Sequence, residues 1–217
     1  MAKNHGKIYL YERILYMSFG LLASFIIFAL TISHAIKRQA KKKNSSEQDF
    51  WARESQANSV RRKSLDGLNY ISIPLETFPT HLLNDDPTVM DCISILESLT
   101  SKKIVNLTGW SNTDLKLEYG TANITALSEY DQNYTLLART LQKWADALAA
   151  AGYRPEAAVL LEFAVSTQTD VSHTYYQLAD YWISQGEGFR VEQLIQTAEN
   201  LRSSNKDAIL RHLKELL

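Results

Sequence analysis

A single cysteine, Cys92, occurs in this chain of 217 residues. No disulfide can therefore form within the chain, and any metal site would need other ligands. Cys92 lies in an apolar pattern with helical spacing, which favours a buried structural thiol over a nucleophile. The chain has 45% hydrophobic residues, which is typical of a globular protein and excludes wholesale disorder.

Enzyme motifs are missing as well. The sequence contains no P-loop, no GxGxxG, no HExxH, no GxSxG and no CxxC. Its five histidines are scattered, and only His173 and His212 are placed to share a surface. The acidic pair Asp85 and Asp86 lies where a helix is predicted to begin, so the helix dipole explains it without catalysis. We therefore expect a protein that is not an enzyme and that has neither a cofactor nor a metal site.

Charged residues are absent from residues 14–36, a run of 23 positions. As a helix this run spans about 34 Å, which is enough to cross a hydrocarbon core of about 30 Å. It predicts a single transmembrane helix after an N-terminal tail, residues 1–13. A cleaved secretory signal is the alternative, because Ser33, His34 and Ala35 offer a small-x-small site. The run is longer than a usual signal and a basic cluster follows it, which favours the membrane helix.

Opposite net charges distinguish the two parts of the chain. Residues 1–63 carry twelve basic and four acidic side chains, a net of +8, whereas the remainder carries eleven and twenty, a net of −9. Five cations directly after the apolar run are expected to contact anionic lipid headgroups. They are Lys37, Arg38, Lys41, Lys42 and Lys43. No aromatic residues are interleaved with them, so a nucleic-acid partner is not expected.

The same cations predict the orientation in the membrane. Three basic residues precede the apolar run and five follow it, so the positive-inside bias places the C-terminal part in the cytoplasm. Residues 37–63 are interpreted as a basic juxtamembrane segment and linker, in which the polar residues 44–63 form either a linker or a loosely formed juxtamembrane helix. The four N-glycosylation sequons of the chain are incidental in this orientation.

The N-terminal part of the soluble domain, residues 64–133, is predicted to combine an extended arm with helices. Apolar and polar residues alternate over residues 69–79, and Pro74 restricts this stretch to an edge or an irregular arm. Asp86 is expected to cap a helix that has Pro87 in its first turn.

Residues 106–120 are rich in polar side chains around Trp110. Ser111 or Asn112 is expected to cap a short helix that Gly120 ends. This stretch is the one place outside the repeats where we would look for a site, although helix capping explains the same residues.

From Tyr130 onward the apolar spacing is helical, and the pattern recurs after 34 residues. Large residues fall on large residues, small on small and glycine on glycine. The pairs are Leu141 with Tyr175, Trp144 with Leu178, Ala145 with Ala179, Leu148 with Trp182, Gly152 with Gly186, Ala157 with Val191, Leu160 with Leu194, Leu161 with Ile195 and Ala164 with Ala198. Two helix-turn-helix units are therefore predicted in residues 134–200.

This region resembles the tetratricopeptide repeat, whose unit is also two helices in 34 residues. The family's run of large, large and small residues in the first helix matches Leu141, Trp144 and Ala145, and its inter-helix glycine matches Gly152. The usual proline at the end of a repeat is absent, and Val191 is larger than the family's small residue. Two repeats bury too little surface alone, so the flanking helices are expected to complete the stack.

A capping helix is predicted in residues 201–217. Five apolar residues form its buried stripe. They are Ile209, Leu210, Leu213, Leu216 and Leu217.

The resemblance implies a concave groove lined by the first helix of each repeat, where family members bind peptides. The candidate groove residues are Arg139, Gln142, Lys143, Asp146, His173, Tyr176, Gln177 and Asp180. An aromatic residue among polar groups suits a peptide partner that a few anchors hold. The Lys and Asn pattern with which some members grip a C-terminal carboxylate is not reproduced, so the resemblance does not imply that ligand.

These observations predict an all-α protein with one transmembrane helix followed by a small domain that resembles tetratricopeptide repeats. The expected function is that of a membrane-anchored, non-enzymatic scaffold for an unknown protein or peptide partner, with residues 14–43 in contact with lipid. The alternative is an exported enzyme or carbohydrate-handling module that uses the hydrophobic segment as its export signal.

Overall fold

The computed structural model describes Phe28, Thr31, Ile32 and residues 47–217. This described part contains helices, turns and one isolated β-bridge but no strand, which confirms the all-α class for it. The chain divides into two compact units, Met1–Gln56 and Ala57–Leu217.

The predicted membrane segment falls largely outside this description. Of residues 14–36 only three helical positions are described, and the basic cluster in residues 37–43 lies outside the described residues. Among the residues that the structure describes, no helix has both the length and the apolar character needed to cross a membrane. Residues 47–59 are helical.

Seven further α-helices follow in the second unit. They are α1 (Pro87–Thr100), α2 (Asn112–Tyr119), α3 (Ile124–Ala150), α4 (Arg154–Ser166), α5 (Ser172–Ser184), α6 (Phe189–Ala198) and α7 (Lys206–Glu215). Short 3-10 turns occupy Leu75–Thr77 and Thr121–Asn123.

The predicted arm is irregular and is tied to the chain after α1. The backbone N–H of Ile71 donates to the carbonyl oxygen of Ile104 over 2.9 Å, and Tyr70 forms an antiparallel bridge with Val105. The start of α1 is confirmed, because the Asp86 carboxylate accepts hydrogen bonds from the first turn of the helix. Such capping satisfies amide groups that have no partner within a helix.

The helix predicted in residues 106–120 is confirmed as α2. Ser111 caps it in a reciprocal capping box with Asp114, and Gly120 ends it with φ 85° and ψ 149°. A Cβ atom on Gly120 would lie 2.3 Å from the carbonyl oxygen of Arg61, so this close approach requires glycine.

Two helical hairpins, α3 with α4 and α5 with α6, form the centre of the unit. In both, the predicted apolar positions are buried or pack against the core, and the glycines between the helices have positive φ. Helix α3 begins at Ile124, before the expected Tyr130, because Leu127 in its first turns is fully buried in a second apolar cluster.

Helix α7 packs against α5 and α6 and caps the stack. Its residues Ile209 and Leu213 are fully buried, whereas Leu210 and Leu216 are partly covered. The prediction was wrong for Leu217, which is 65% exposed. The helix ends at Glu215, so Leu217 no longer follows the helical stripe.

The apolar residues form two clusters. The larger joins α1, the hairpins and α7, and Phe78 of the arm reaches it with its ring 5.3 Å from that of Phe163. The smaller cluster has four buried members, Val105, Leu107, Leu115 and Leu127. It connects the arm and α2 to the first turns of α3.

Candidate functional site

A network of polar side chains joins the first helices of the two hairpins. The Thr174 hydroxyl donates to Gln142 Oε1 over 2.6 Å, and Gln142 Nε2 donates to Gln177 Oε1 over 2.8 Å. Gln142 Nε2 also lies 2.8 Å from Asp146 Oδ1 on the same helix. Gln142 is only 9% exposed, so its amide links α3 to α5 instead of facing solvent.

Two further side-chain contacts link these helices. His173 Nε2 lies 3.3 Å from Asp146 Oδ1, a second link between α3 and α5. The ring of Tyr176 lies 3.9 Å from the ring of His212, which joins α5 to α7. Helices α3, α5 and α7 are therefore connected in that order. We call the α3–α5–α7 face the surface that carries the exposed and partly exposed members of this set together with Arg139 and Asp180, which lie at helical spacing from them on α3 and α5.

The remaining predicted groove residues lie on the same helices but differ in their contacts. Lys143 Nζ forms an ion pair with Asp91 of α1 over 3.0 Å, and this hydrogen bond raises the pKa of Lys143. Arg139 and Asp180 are exposed and make no hydrogen bond or ion pair with any described residue. These two side chains are therefore available to a partner without breaking an existing contact.

The chemistry of this face is that of hydrogen bonding and charge. Within the described residues, no three His, Cys, Asp or Glu side chains are grouped so that they could hold a metal ion. Cys92 is fully buried, as predicted, and burial raises the pKa of its thiol. A buried neutral thiol is unreactive.

A cavity of about 580 Å³ lies beside the hairpins, and the sequence did not predict it. Its walls are the arm at residues 67–71, the loop at residues 105–110, the end of α4 and the turn at residues 200–202. Asn106 and Trp110 are part of this wall, so the polar stretch at residues 106–120 contributes both to helix capping and to a cavity. The cluster of polar residues around Trp110 was the only signal of it in the sequence.

No match to this chain was found among protein-family models, curated proteins or solved structures.

Proposed function

We propose that this protein is a membrane-anchored, non-enzymatic adaptor that binds a protein or peptide partner on the α3–α5–α7 face. The observation that carries this proposal is the network centred on Gln142, which holds two successive hairpins in one fixed arrangement. A surface whose side chains are already ordered loses less conformational entropy when a partner binds.

The architecture supports the proposal at a second level. The two hairpins bury equivalent positions 34 residues apart, and α7 covers the end of the stack. This arrangement is the one expected of a tetratricopeptide-like domain, in which first helices present the binding surface. The exposed side chains of Arg139 and Asp180 supply charges of both signs for a partner.

Membrane attachment is proposed from residues 14–43. A run without charged residues and the five cations after it suit a single-pass helix with its basic end at the cytoplasmic leaflet. The second unit would then lie in the cytoplasm. Protease added to intact cells should leave that unit whole, and digestion without lysis would contradict this placement.

Site-specific photo-cross-linking in cells tests the binding face. A photo-reactive residue replaces Asp180, and a control protein carries it at Val159, which is 40% exposed on the second helix of the first hairpin. We expect a discrete adduct from position 180 that is absent from position 159. Arg139→Glu should reduce this adduct about tenfold, since a charge contact at a partly buried interface contributes roughly 1–2 kcal/mol. Equal adducts from both positions, or no effect of Arg139→Glu, would contradict the proposal.

A further inference from the structure

The cavity beside the hairpins offers one cation that has no counter-ion. Arg202 is exposed, lines the cavity and makes no hydrogen bond or ion pair with any described residue. Its guanidinium carbon lies 5.4 Å from the centre of the Trp110 ring. A guanidinium held over an aromatic ring at this distance keeps its N–H groups free to donate to a carboxylate in a two-pronged contact.

The position of Arg202 is set by a close backbone approach. Gly109 has φ 83°, and a Cβ atom there would lie 2.5 Å from the carbonyl oxygen of Arg202 and 2.6 Å from its Cβ atom. The loop that carries Trp110 therefore touches the turn that carries Arg202 directly. Only glycine permits this contact, because any side chain would push the two segments apart.

Another part of the cavity wall is also held by hydrogen bonds. The Asn106 side-chain amide donates to the carbonyl oxygens of Thr167 and Gln168, over 2.9 and 3.0 Å. The Tyr134 hydroxyl donates to the same Thr167 carbonyl over 3.3 Å. The cavity is thus formed before any ligand arrives, and its volume lies within the range of about 300–1,000 Å³ that is usual for small ligands.

Several polar side chains in the cavity lining make no hydrogen bond within the described part of the chain. The amides of Asn69 and Gln168 and the hydroxyl of Thr108 make no side-chain hydrogen bond with any described residue. Amide and hydroxyl groups pair well with peptide N–H and C=O groups. The lining therefore suits a polar backbone next to the group that Arg202 binds.

The charge of the cavity lining favours a ligand with a single negative charge. Arg202 is the only charged residue in the lining, whereas residues 64–217 together have a net charge of −9. An acidic domain repels polyanions such as nucleic acid, and a single guanidinium matches a single negative charge. A monoanionic carboxylate meets this condition better than a dianionic phosphate.

We propose that this cavity binds a carboxylate carried by a short peptide segment, with Arg202 as the anion-binding residue and Trp110 as its support. The carboxylate could be the C-terminus of a peptide or the side chain of Asp or Glu. This inference rests on the proposed function in that the partner is a protein, but it concerns a site separate from the α3–α5–α7 face.

Fluorine NMR of the full chain in nanodiscs, labelled with 5-fluorotryptophan, tests the proposal. Trp110→Phe identifies the signal of Trp110 among the four tryptophans of the chain. Four probes are titrated, namely N-acetyl-Gly-Gly with a free or an amidated C-terminus, and N-acetyl-Glu-amide with its Gln counterpart. We expect the Trp110 signal to shift saturably with one or both free carboxylates and not with the matching amides. The two pairs distinguish a C-terminal from a side-chain carboxylate.

Variants of the same chain locate the binding. Arg202→Gln should lower the affinity for the carboxylate probe at least tenfold, because the charge-assisted hydrogen bonds are lost. Arg202→Lys keeps the positive charge and should retain part of the affinity. Arg211→Gln is the matched control, because Arg211 is an exposed arginine of α7 outside the cavity. Unchanged affinity in Arg202→Gln, or no shift with either carboxylate, would overturn the inference. Cross-linking at position 180 is independent of this result, so the two proposals fail separately.

Discussion

The hairpins of residues 124–198 and the preceding segment of residues 57–123 are stabilised in different ways. In the hairpins, apolar stripes at helical spacing face one another across short glycine turns. In the preceding segment, two kinds of contact hold the irregular backbone in place. Glycines lie directly against backbone from distant parts of the sequence, and an asparagine side chain hydrogen-bonds to backbone carbonyl groups. The same fold therefore combines a part with a repeated local pattern and a part that depends on contacts between residues far apart in sequence.

Asn123 shows how the preceding segment is fastened. It is 1% exposed, and its side-chain amide donates to the carbonyl oxygens of Lys63 and Tyr119, each over 2.7 Å. Its oxygen accepts from Arg62 Nε over 3.1 Å. One side chain thus joins the end of α2 to chain that lies about sixty residues earlier. A buried amide that satisfies backbone groups in this way is costly to remove.

Tryptophan substitutions should separate the two regions most strongly. Trp144 of α3 is fully buried, whereas Trp110 is only half-buried. Trp144→Ala should lower the free energy of unfolding by about 3–5 kcal/mol, because it leaves a large cavity, and Trp110→Ala by about 1 kcal/mol. Urea unfolding of the full chain in detergent, followed by circular dichroism, measures both. Trp144→Phe is the control for the size of the side chain, since the Trp144 indole N–H has no hydrogen-bond partner to lose. Equal losses of unfolding free energy in the two alanine variants would contradict the expected difference between the two regions.

Glycine substitutions give the next largest difference. Gly120→Ala should cost about 3 kcal/mol, because its backbone conformation is unfavourable for alanine and its Cβ atom would collide with Arg61. Gly152→Ala should cost about 1 kcal/mol, since its φ is 92° but nothing lies within 4 Å of the added atom. Thermal unfolding of the two variants compares them. A larger cost at Gly152 would mean that the hairpin turn, and not the close approach, is the more constrained site.

Amide side chains provide a third test. Asn123→Ala should cost about 2 kcal/mol, because the buried amide that joins the Lys63 and Tyr119 carbonyl oxygens is removed and Arg62 Nε loses its acceptor, although the Tyr119 carbonyl keeps the Lys63 N–H as a donor. Gln142→Ala should cost about 1.5 kcal/mol, because the buried Thr174 hydroxyl loses its acceptor, whereas Gln177 and Asp146 are accessible enough for water to replace the lost partner. Chemical unfolding measures both. If Gln142→Ala proved the costlier, the network of the α3–α5–α7 face would be a main source of stability.

The smallest effect concerns pH. Burial raises the pKa of Asp131, although a hydrogen bond from the Leu107 N–H partly opposes the shift. A raised pKa means that the folded state prefers the protonated acid, so this contribution to stability is lost as pH rises from about 4 through the folded-state pKa. Asp131→Asn keeps an acceptor for Leu107 but cannot ionise. Its stability relative to the wild type should therefore increase slightly between pH 4 and pH 7, and parallel pH profiles would show that Asp131 is not the responsible group.

The sequence predicted the helical part well. The caps at Asp86 and Ser111, the ends at Gly120, Gly152 and Gly186, and the buried stripes follow from local rules of helix formation. The early start of α3 was missed because it depends on the burial of Leu127 in a cluster with other segments, and the exposure of Leu217 was missed because α7 ends at Glu215. For the candidate groove residues, the sequence predicted which helices carry them but not which side chains they contact.

The sequence by itself determined the helix ends at Asp86, Ser111, Gly120, Gly152 and Gly186 and most of the buried stripes, since these depend on neighbours within a few turns. Only the tertiary structure decided that Gln142 links two hairpins, that Asn123 fastens chain sixty residues away, and that Arg202 lies against Trp110 beside a cavity. Such contacts join residues with no fixed spacing along the chain. No periodic pattern can record them, because their geometry exists only after the helices have packed.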